Sequence, residues 1–327
     1  MRSNIITRRE FFIKASLSPL LLSLSINQGC FLQQPVTVSL VKDTDDSYAL
    51  KRAIELIGGL DFLKMGDSVL LKLALNSANP FPATTSPFMI SELVTLLKEH
   101  GAGDIFVGDR SAYGRDTMYA MEETGIYQAA IDSGAEVIVF EDNDTVHVKP
   151  EGALYWPEGF SVPRLFNQVD HIIALPRLST HAMAGFTMGL KIFVGALPPD
   201  ERLEMHTAYG LSSSFLKCLA EIALCSDKIR LSILDARQGF SQGGPDEGTV
   251  VSPGIIIASK SLVGADAVGL ALLKSIGTTP QLMDMRVWDH PTIARAIEVY
   301  SPYLTPATME LRSEGIDTID EIKGHLQ

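Results

Sequence analysis

From residue 36 onward, short apolar runs alternate with amphipathic stretches, and that rhythm predicts a chain of strands and helices. VTVSLVK, centred on 37–42, reads as a strand, and SYALKRAIELIGGL (47–60) as a helix closing on Gly58-Gly59. DSVLLKLAL (67–75) is an apolar run of strand length broken only by Lys72, and it empties into NSANPFPATTSP (76–87), a loop of turn-forming residues. FMISELVTLLKEHGAG (88–103) predicts a helix ending at Gly101. DIFVGD (104–109) and EVIVFED (136–142) predict strands, with helix around 117–133 between them.

A stretch rich in Pro, Gly and aromatic residues (143–163) breaks the rhythm and predicts a hairpin or excursion. VDHIIALPRL (169–178) then predicts a strand stopping near Pro176, and LSSSFLKCLAEIALC (211–225) a helix. IRLSILDA (229–236) and GIIIAS (254–259) read as strands, GADAVGLALLKSIG (264–277) and HPTIARAIEVYSP (290–302) as helices. The alternation predicts an α/β fold of three layers: a largely parallel or mixed sheet with helices on both faces, and a small excursion or second lobe. Residues 36–302 are expected to form one α/β domain, in one or two lobes, with the polar segment 303–327 peripheral.

One stretch stands apart, LSTHAMAGFTMGLKIFVGALPPDERLEMH (178–206), apolar and glycine-punctuated around a single lysine. Its residues Phe186, Leu190, Phe193, Val194 and Leu197 follow a helical spacing, which places Thr187 and Lys191 together on another face. PPDERLEMH (198–206) predicts a Pro-started turn or short helix that could return His206 toward His181.

Composition narrows the class. Hydrophobic residues are 46% and charged residues 20%, which excludes wholesale disorder. Residues 1–30 combine TRREFFIK (7–14) with the short apolar run ASLSPLLLSLSI (15–26), so a twin-arginine-type signal peptide is expected, with export to the periplasm or cell envelope. The translocase would then be a partner during export. Cys30 follows Gly29 as in a lipoprotein cleavage site, although Asn27 departs from the usual aliphatic residue; lipidation, plain cleavage and an uncleaved membrane anchor all stay open.

The formal charge is −12, and −15 without residues 1–30, which hold four basic residues and one acidic one. Such a balance repels phosphate backbones, so no nucleic-acid partner is expected. Cys218 and Cys225 lie seven apart on a predicted helix, too far to bridge, and read as core thiols; no iron–sulfur cluster is expected within this chain.

In open α/β sheets, ligands sit beyond the carboxyl ends of strands. The residues placed there are Lys72, Asn76 and Asn79; Asp109 and Arg110; Ser179, Thr180 and His181; and Asp235, Arg237 and the loop QGFSQGGP (238–245) with Gly244. His181, Lys191, His206 and Asp109 are the candidate catalytic set. Lys72, Asn76, Thr180, Thr187, Asp235 and Gly244 are candidate substrate contacts. A lysine near a helix amino terminus can hold a carboxylate or phosphate, or serve as a base with a lowered pKa; equally, Lys191 can extend its head to water. His181 and His206 are candidate ligands for a divalent metal, though their spacing of 25 matches no compact metal motif. No phosphate-binding loop and no nucleophile elbow occurs.

The order of VLLK (69–72), GAGDIFVGD (101–109), LPRLSTHAMAGFTMGLKIFVGALP (175–198) with His206, ILDARQGFSQGGPDEG (233–248) and IIIASKSLVGADAVG (255–269) resembles the family called domain of unknown function 362. The family pattern places Thr180, His181, Thr187, Lys191, Gly195, His206 and Asp266 at matching positions. This chain departs from it at Ser179, Ile192 and Ser261, and at Leu73-Ala74. The resemblance implies an α/β fold and a redox connection, since some members carry ferredoxin-type modules, but no particular reaction. The leading expectation is an enzyme acting on a small anionic substrate, metal-assisted or not. An accessory or redox-partner protein for a metalloprotein and a periplasmic solute-binding protein are the alternatives.

Overall fold

The computed structural model describes residues 35–210 and 212–327, and the signal-peptide reading of residues 1–30 lies outside them. Eight strands form the main path of one sheet: β1 (Val36–Val41), β2 (Val69–Leu73), β3 (Ile105–Asp109), β4 (Glu136–Val139), β7 (His171–Leu175), β10 (Ile229–Gly243), β12 (Ile255–Ser259) and β13 (Met309–Glu314). Their spatial order is β13-β1-β12-β10-β7-β2-β3-β4, and only β12 runs antiparallel to its neighbours. β5 (Thr145–Val148) and β6 (Phe160–Pro163) make a separate antiparallel pair within the 143–163 excursion. Three short strands, β8 (Arg177–His181), β9 (Gly185–Phe186) and β11 (Gly248–Val251), extend the sheet beyond the carboxyl ends of β7 and β10.

Strand alternation divides the core in two. Val69, Leu71 and Leu73 of β2 and Ile173 and Leu175 of β7 face α1 (Asp46–Leu56), α2 (Pro87–Glu99) and α4 (Ile126–Ser133), the last preceded by the short α3 (Thr117–Glu123). Leu70, Ile172 and Ala174 face the other way. On that side lie α5 (Leu165–Gln168), α7 (Ser213–Ile222), α8 (Leu262–Ile276), α9 (Pro280–Asp284), α10 (Pro291–Tyr300) and α11 (Ile319–His325). Helices cover both faces of a mostly parallel sheet, so this is the three-layer α/β fold that the pattern predicts. Cys218 and Cys225 are buried free thiols, as read from their helix.

Four segments fold differently from expectation. Residues 169–178 are two strands, because Pro176 has no N–H to continue the ladder; its carbonyl instead accepts from Asp235 N at 3.0 Å. The loop QGFSQGGP is mostly strand, since β10 bulges after Asp235 and runs on to pair with β11. No α-helix spans 186–197: β9 is followed by a turn and a 3₁₀ segment, Lys191–Ala196. Finally, 303–327 is not merely peripheral, for β13 pairs in parallel with β1 and α11 buries Ile322 against the core.

The excursion is tied down by a buried charge. Glu221 of α7, fully buried, accepts from Leu154 N (3.0 Å), Tyr155 N (2.8 Å) and Arg295 Nε (2.7 Å) of α10. Removing one member of such a pair strands the other in the core. Arg295→Ala is therefore expected to lower unfolding free energy by about 3–5 kcal/mol, read from urea denaturation. Arg286→Ala, which breaks only the exposed pair with Asp289, should leave the midpoint essentially unmoved.

Candidate functional site

β2 leads to β3 on one side, while β7 leads to β10 on the other, so the chain's direction of winding changes at the β2–β7 junction. A cleft opens beyond the carboxyl ends there, where this fold places ligands. It is small, about 50 Å³, and is lined chiefly by Asn76, Arg110, Arg177, Thr187, Lys191 and Arg202.

Its floor is an ion pair. Lys72 Nζ, fully buried, donates to Asp109 Oδ1 at 2.7 Å and to the Leu73 carbonyl at 2.8 Å. Asp109 also accepts from Arg110 N (2.7 Å) and Leu75 N (2.9 Å). Burial pushes the Lys72 ammonium down and the Asp109 carboxyl up, while their contact and the two amide donors oppose both shifts. Gly195 packs directly on the pair: a Cβ there would run into Asp109 Oδ1 and come within 3.1 Å of Lys72 Nζ. The missing side chain lets the 3₁₀ segment sit on the floor, with Lys191 at its start.

That segment is held from behind. Asp266 of α8, fully buried, accepts from Gly189 N at 2.7 Å and Leu190 N at 2.9 Å. Its burial pushes its carboxyl up to about 7, against the two amide donors. These amides lie directly before the 3₁₀ segment, where a helical turn leaves its first N–H groups without internal partners, so Asp266 fixes the start of the segment from across the core.

Among the described residues, three of the cations in the walls, Arg177, Arg202 and Lys191, have no carboxylate partner. Arg177 is 3% exposed and donates only to carbonyls, from Nε to Ala83 and from Nη2 to Pro245, while its Nη1 has no partner among the described residues. Burial pushes it down to about 10. Arg202, on α6 (Pro199–Tyr209), donates to the Ser111 carbonyl at 2.7 Å. Arg110 donates to the carbonyls of Leu197 and Phe140, leaving Nε 3.8 Å from Glu141. Lys191 makes no hydrogen bond or ion pair among the described residues. Burial, and then the charges of Arg202 and Arg177, push its ammonium down to about 7. Across the mouth, Asp246 is clasped by Asn76 Nδ2 at 2.6 Å and Arg115 Nη2 at 2.8 Å.

The other sequence candidates divide. His181 sits at the end of β8, where burial and the charges of Lys191, Arg177 and His206 push its ring down to about 2, so it stays neutral. Its Nδ1 accepts from Met183 N (3.1 Å) and Ala184 N (3.2 Å), which puts the ring proton on Nε2. A ring in that tautomer has no lone pair left to offer a metal. His206 does follow a Pro-started helix, α6, and donates from Nδ1 to the Arg202 carbonyl at 2.6 Å while packing on Phe215. Its Nδ1–H bond to a carbonyl leaves the Nε2 lone pair of His206 free, whereas His181 offers none, and among the described residues no three His, Cys, Asp or Glu side chains converge on either ring.

Thr180 is spent on the Phe240 and Gly243 carbonyls, and Gly244 stacks against the Thr180 carbonyl, where a Cβ would not fit. Asp235 is corrected outright: it lies on the opposite face of the sheet, bound by Arg237, which also reaches Asp46 and Ser86. The expected substrate contact Lys72 is sealed within the floor, fully buried behind Asp109 and not among the residues lining the cleft. Arg177 and Arg202 were missed by sequence reading, the first because it was absorbed into a strand, the second because only His206 was singled out from its helix.

The thylakoid-associated protein sll1697 of Synechocystis sp. (strain ATCC 27184 / PCC 6803 / Kazusa) is 29% identical over 231 residues, 67% of this chain and 67% of that protein. The lactate racemase apoprotein from Thermoanaerobacterium thermosaccharolyticum aligns at a TM-score of 0.39 and 14% identity, over 62% of this chain and 50% of that one. A family model described as a domain of unknown function (DUF362) matches residues 69–271, which include the floor, the walls and the Lys191 segment. The chain belongs to that family.

Proposed function

We propose that the protein is an enzyme acting on a small anionic substrate, with Arg177, Arg202 and Lys191 as the anion-holding groups. One observation carries the reading: these three cations share a cleft and form no ion pair among the described residues, in a chain whose formal charge is −12. Unpaired buried charge is costly unless a ligand completes it, and the orphaned Nη1 of Arg177 is the plainest case. Lys191, held near neutrality, suits proton transfer at neutral pH. The cleft's size suits an anion of a few heavy atoms. No metal is assigned a part.

Sodium acetate and sodium sulfate are expected to raise the melting temperature of the purified protein in a saturable manner, reaching about 2.7 kcal/mol at a hundredfold excess over Kd. Arg177→Gln should weaken acetate at least about tenfold by removing a charged hydrogen-bond donor. If no carboxylate, sulfate or phosphate moves the melting curve, the site has been misread; binding without turnover of any substrate would assign a solute-binding role instead.

The pH dependence has a definite sign. An anion favours the charged form of Lys191, so acetate affinity is fully present below about 7 and falls as pH rises through it. Acetate stays ionised throughout that range. Lys191→Met should abolish the fall, measured by titration calorimetry between about pH 6 and 9.

Export belongs to the same proposal and rests on Arg8-Arg9 followed by the apolar run. A double Arg8→Lys, Arg9→Lys variant should accumulate in the cytoplasm on cell fractionation. Unaltered partition would remove the twin-arginine route.

A further inference from the structure

We propose that Lys191 captures small 2-oxo carboxylates as an imine, its Nζ bonding to the carbonyl carbon while Arg177 and Arg202 hold the adjacent carboxylate. The inference rests on the anion-site reading and names the substrate class of that site.

Lys191 differs from the other lysines set into the fold. Lys72 is committed to Asp109 and the Leu73 carbonyl. Lys274 donates to three carbonyls, of Leu282, Met283 and Met285, at 2.7, 2.7 and 2.9 Å. Lys228 donates to those of Asn167 and Val169 at 2.7 and 2.6 Å. Each of these ammonium groups is fixed by acceptors that stabilise its charge. Lys191 lines the cleft with no acceptor among the described residues and with guanidinium groups on the same walls.

Cationic neighbours and burial turn an amine into a nucleophile by weakening its hold on the proton, and here they bring the ammonium down to about 7. Asp246, the acid felt at Lys191, is already clasped by Arg115 and Asn76 and so leaves the amine unpaired. The same guanidiniums that disfavour the ammonium attract a carboxylate. A ligand bearing a carboxylate next to a carbonyl meets both demands within a cleft of about 50 Å³. A cleft of that size restricts the class to the smallest 2-oxo acids, such as glyoxylate and pyruvate.

The step balances without a redox partner. The nitrogen lone pair forms the C–N bond as the carbonyl π pair takes a proton to give a carbinolamine. The hydroxyl then leaves as water with the second amine proton, relayed through solvent, so that both amine protons end in that water and the imine remains. Once protonated, that imine withdraws electrons from a neighbouring C–H or C–C bond.

The test is reductive trapping of the full-length protein with sodium cyanoborohydride and pyruvate or glyoxylate, followed by intact-mass and peptide mapping. The expected result is one reduced adduct on the peptide that carries Lys191, with a rate that rises as pH increases through about 7. Arg177→Gln should slow labelling by pyruvate about tenfold or more, and labelling by acetaldehyde, which has no carboxylate, by much less, since the aldehyde loses only the charge that helps deprotonate Lys191. Mapping on the unmodified protein needs no variant, and Lys191→Met, checked by its melting curve, should lose the adduct.

Acetate-induced stabilisation with no Lys191 adduct from any oxo acid would overturn the imine and leave the anion site standing. Neither stabilisation nor adduct would overturn both. Equal labelling by acetaldehyde and pyruvate, indifferent to Arg177, would overturn the substrate class, and labelling scattered over surface lysines would overturn the assignment to Lys191.

Discussion

The site depends on one buried contact, the 2.7 Å pair between Lys72 and Asp109. Lys72 comes from β2 and Asp109 from the end of β3, so the pair links two adjacent parallel strands at the edge where the cleft opens. Two charges sealed from water cost several kcal/mol each in desolvation, and the pair endures because amides of Arg110 and Leu75 complete the carboxylate. The Arg110 guanidinium reaches from there to the Leu197 and Phe140 carbonyls, fixing the far end of the 3₁₀ segment. Gly195 lets that segment rest on the pair at backbone distance. Lys191 is thereby placed by contacts at both ends of its segment, with Asp266 holding the residues just before it.

Above this floor the electrostatics reverse. The protein as a whole is acidic, yet the cleft gathers Arg110, Arg177, Arg202 and Lys191, several of them bound only by carbonyl oxygens. Carbonyls orient a guanidinium without neutralising it, which leaves charge available to a ligand. Asp246 is the acid nearest to opposing this, and its bonds to Asn76 and Arg115 turn it toward the rim. A local cationic field within an acidic envelope is the electrostatic basis of the proposed site for small anions, since the surrounding charge repels polyanions at longer range.

The sequence made some residues of the site legible and hid others. Lys72 was visible as the single charge in an apolar strand, and Asp109 as the last residue of DIFVGD. Lys191 stood out as the only lysine in an apolar stretch, although its expected helix was wrong: Phe186, Leu190, Phe193, Val194 and Leu197 are all buried, but a glycine-rich loop buries them as fully as a helix would. Arg177 and Arg202 gave no periodic signal, because an arginine in a strand or helix reads as an ordinary exposed residue until its surroundings are known. Asp235 shows the converse. It occupies a strand in the right part of the sheet, yet strand alternation sends it to the opposite face, to Arg237.

By itself, the sequence determined the alternation of strands and helices, the two-sided burial of the sheet and the charge of the whole chain, because these follow from local periodicity and composition. Tertiary structure alone decided which cations are unpaired, that Asp266 binds the amides just before Lys191, that His181 carries its proton on Nε2, and that residues 309–314 close the sheet beside β1. Each of these depends on partners distant in sequence, and pairing at that range is set by packing that no local pattern encodes.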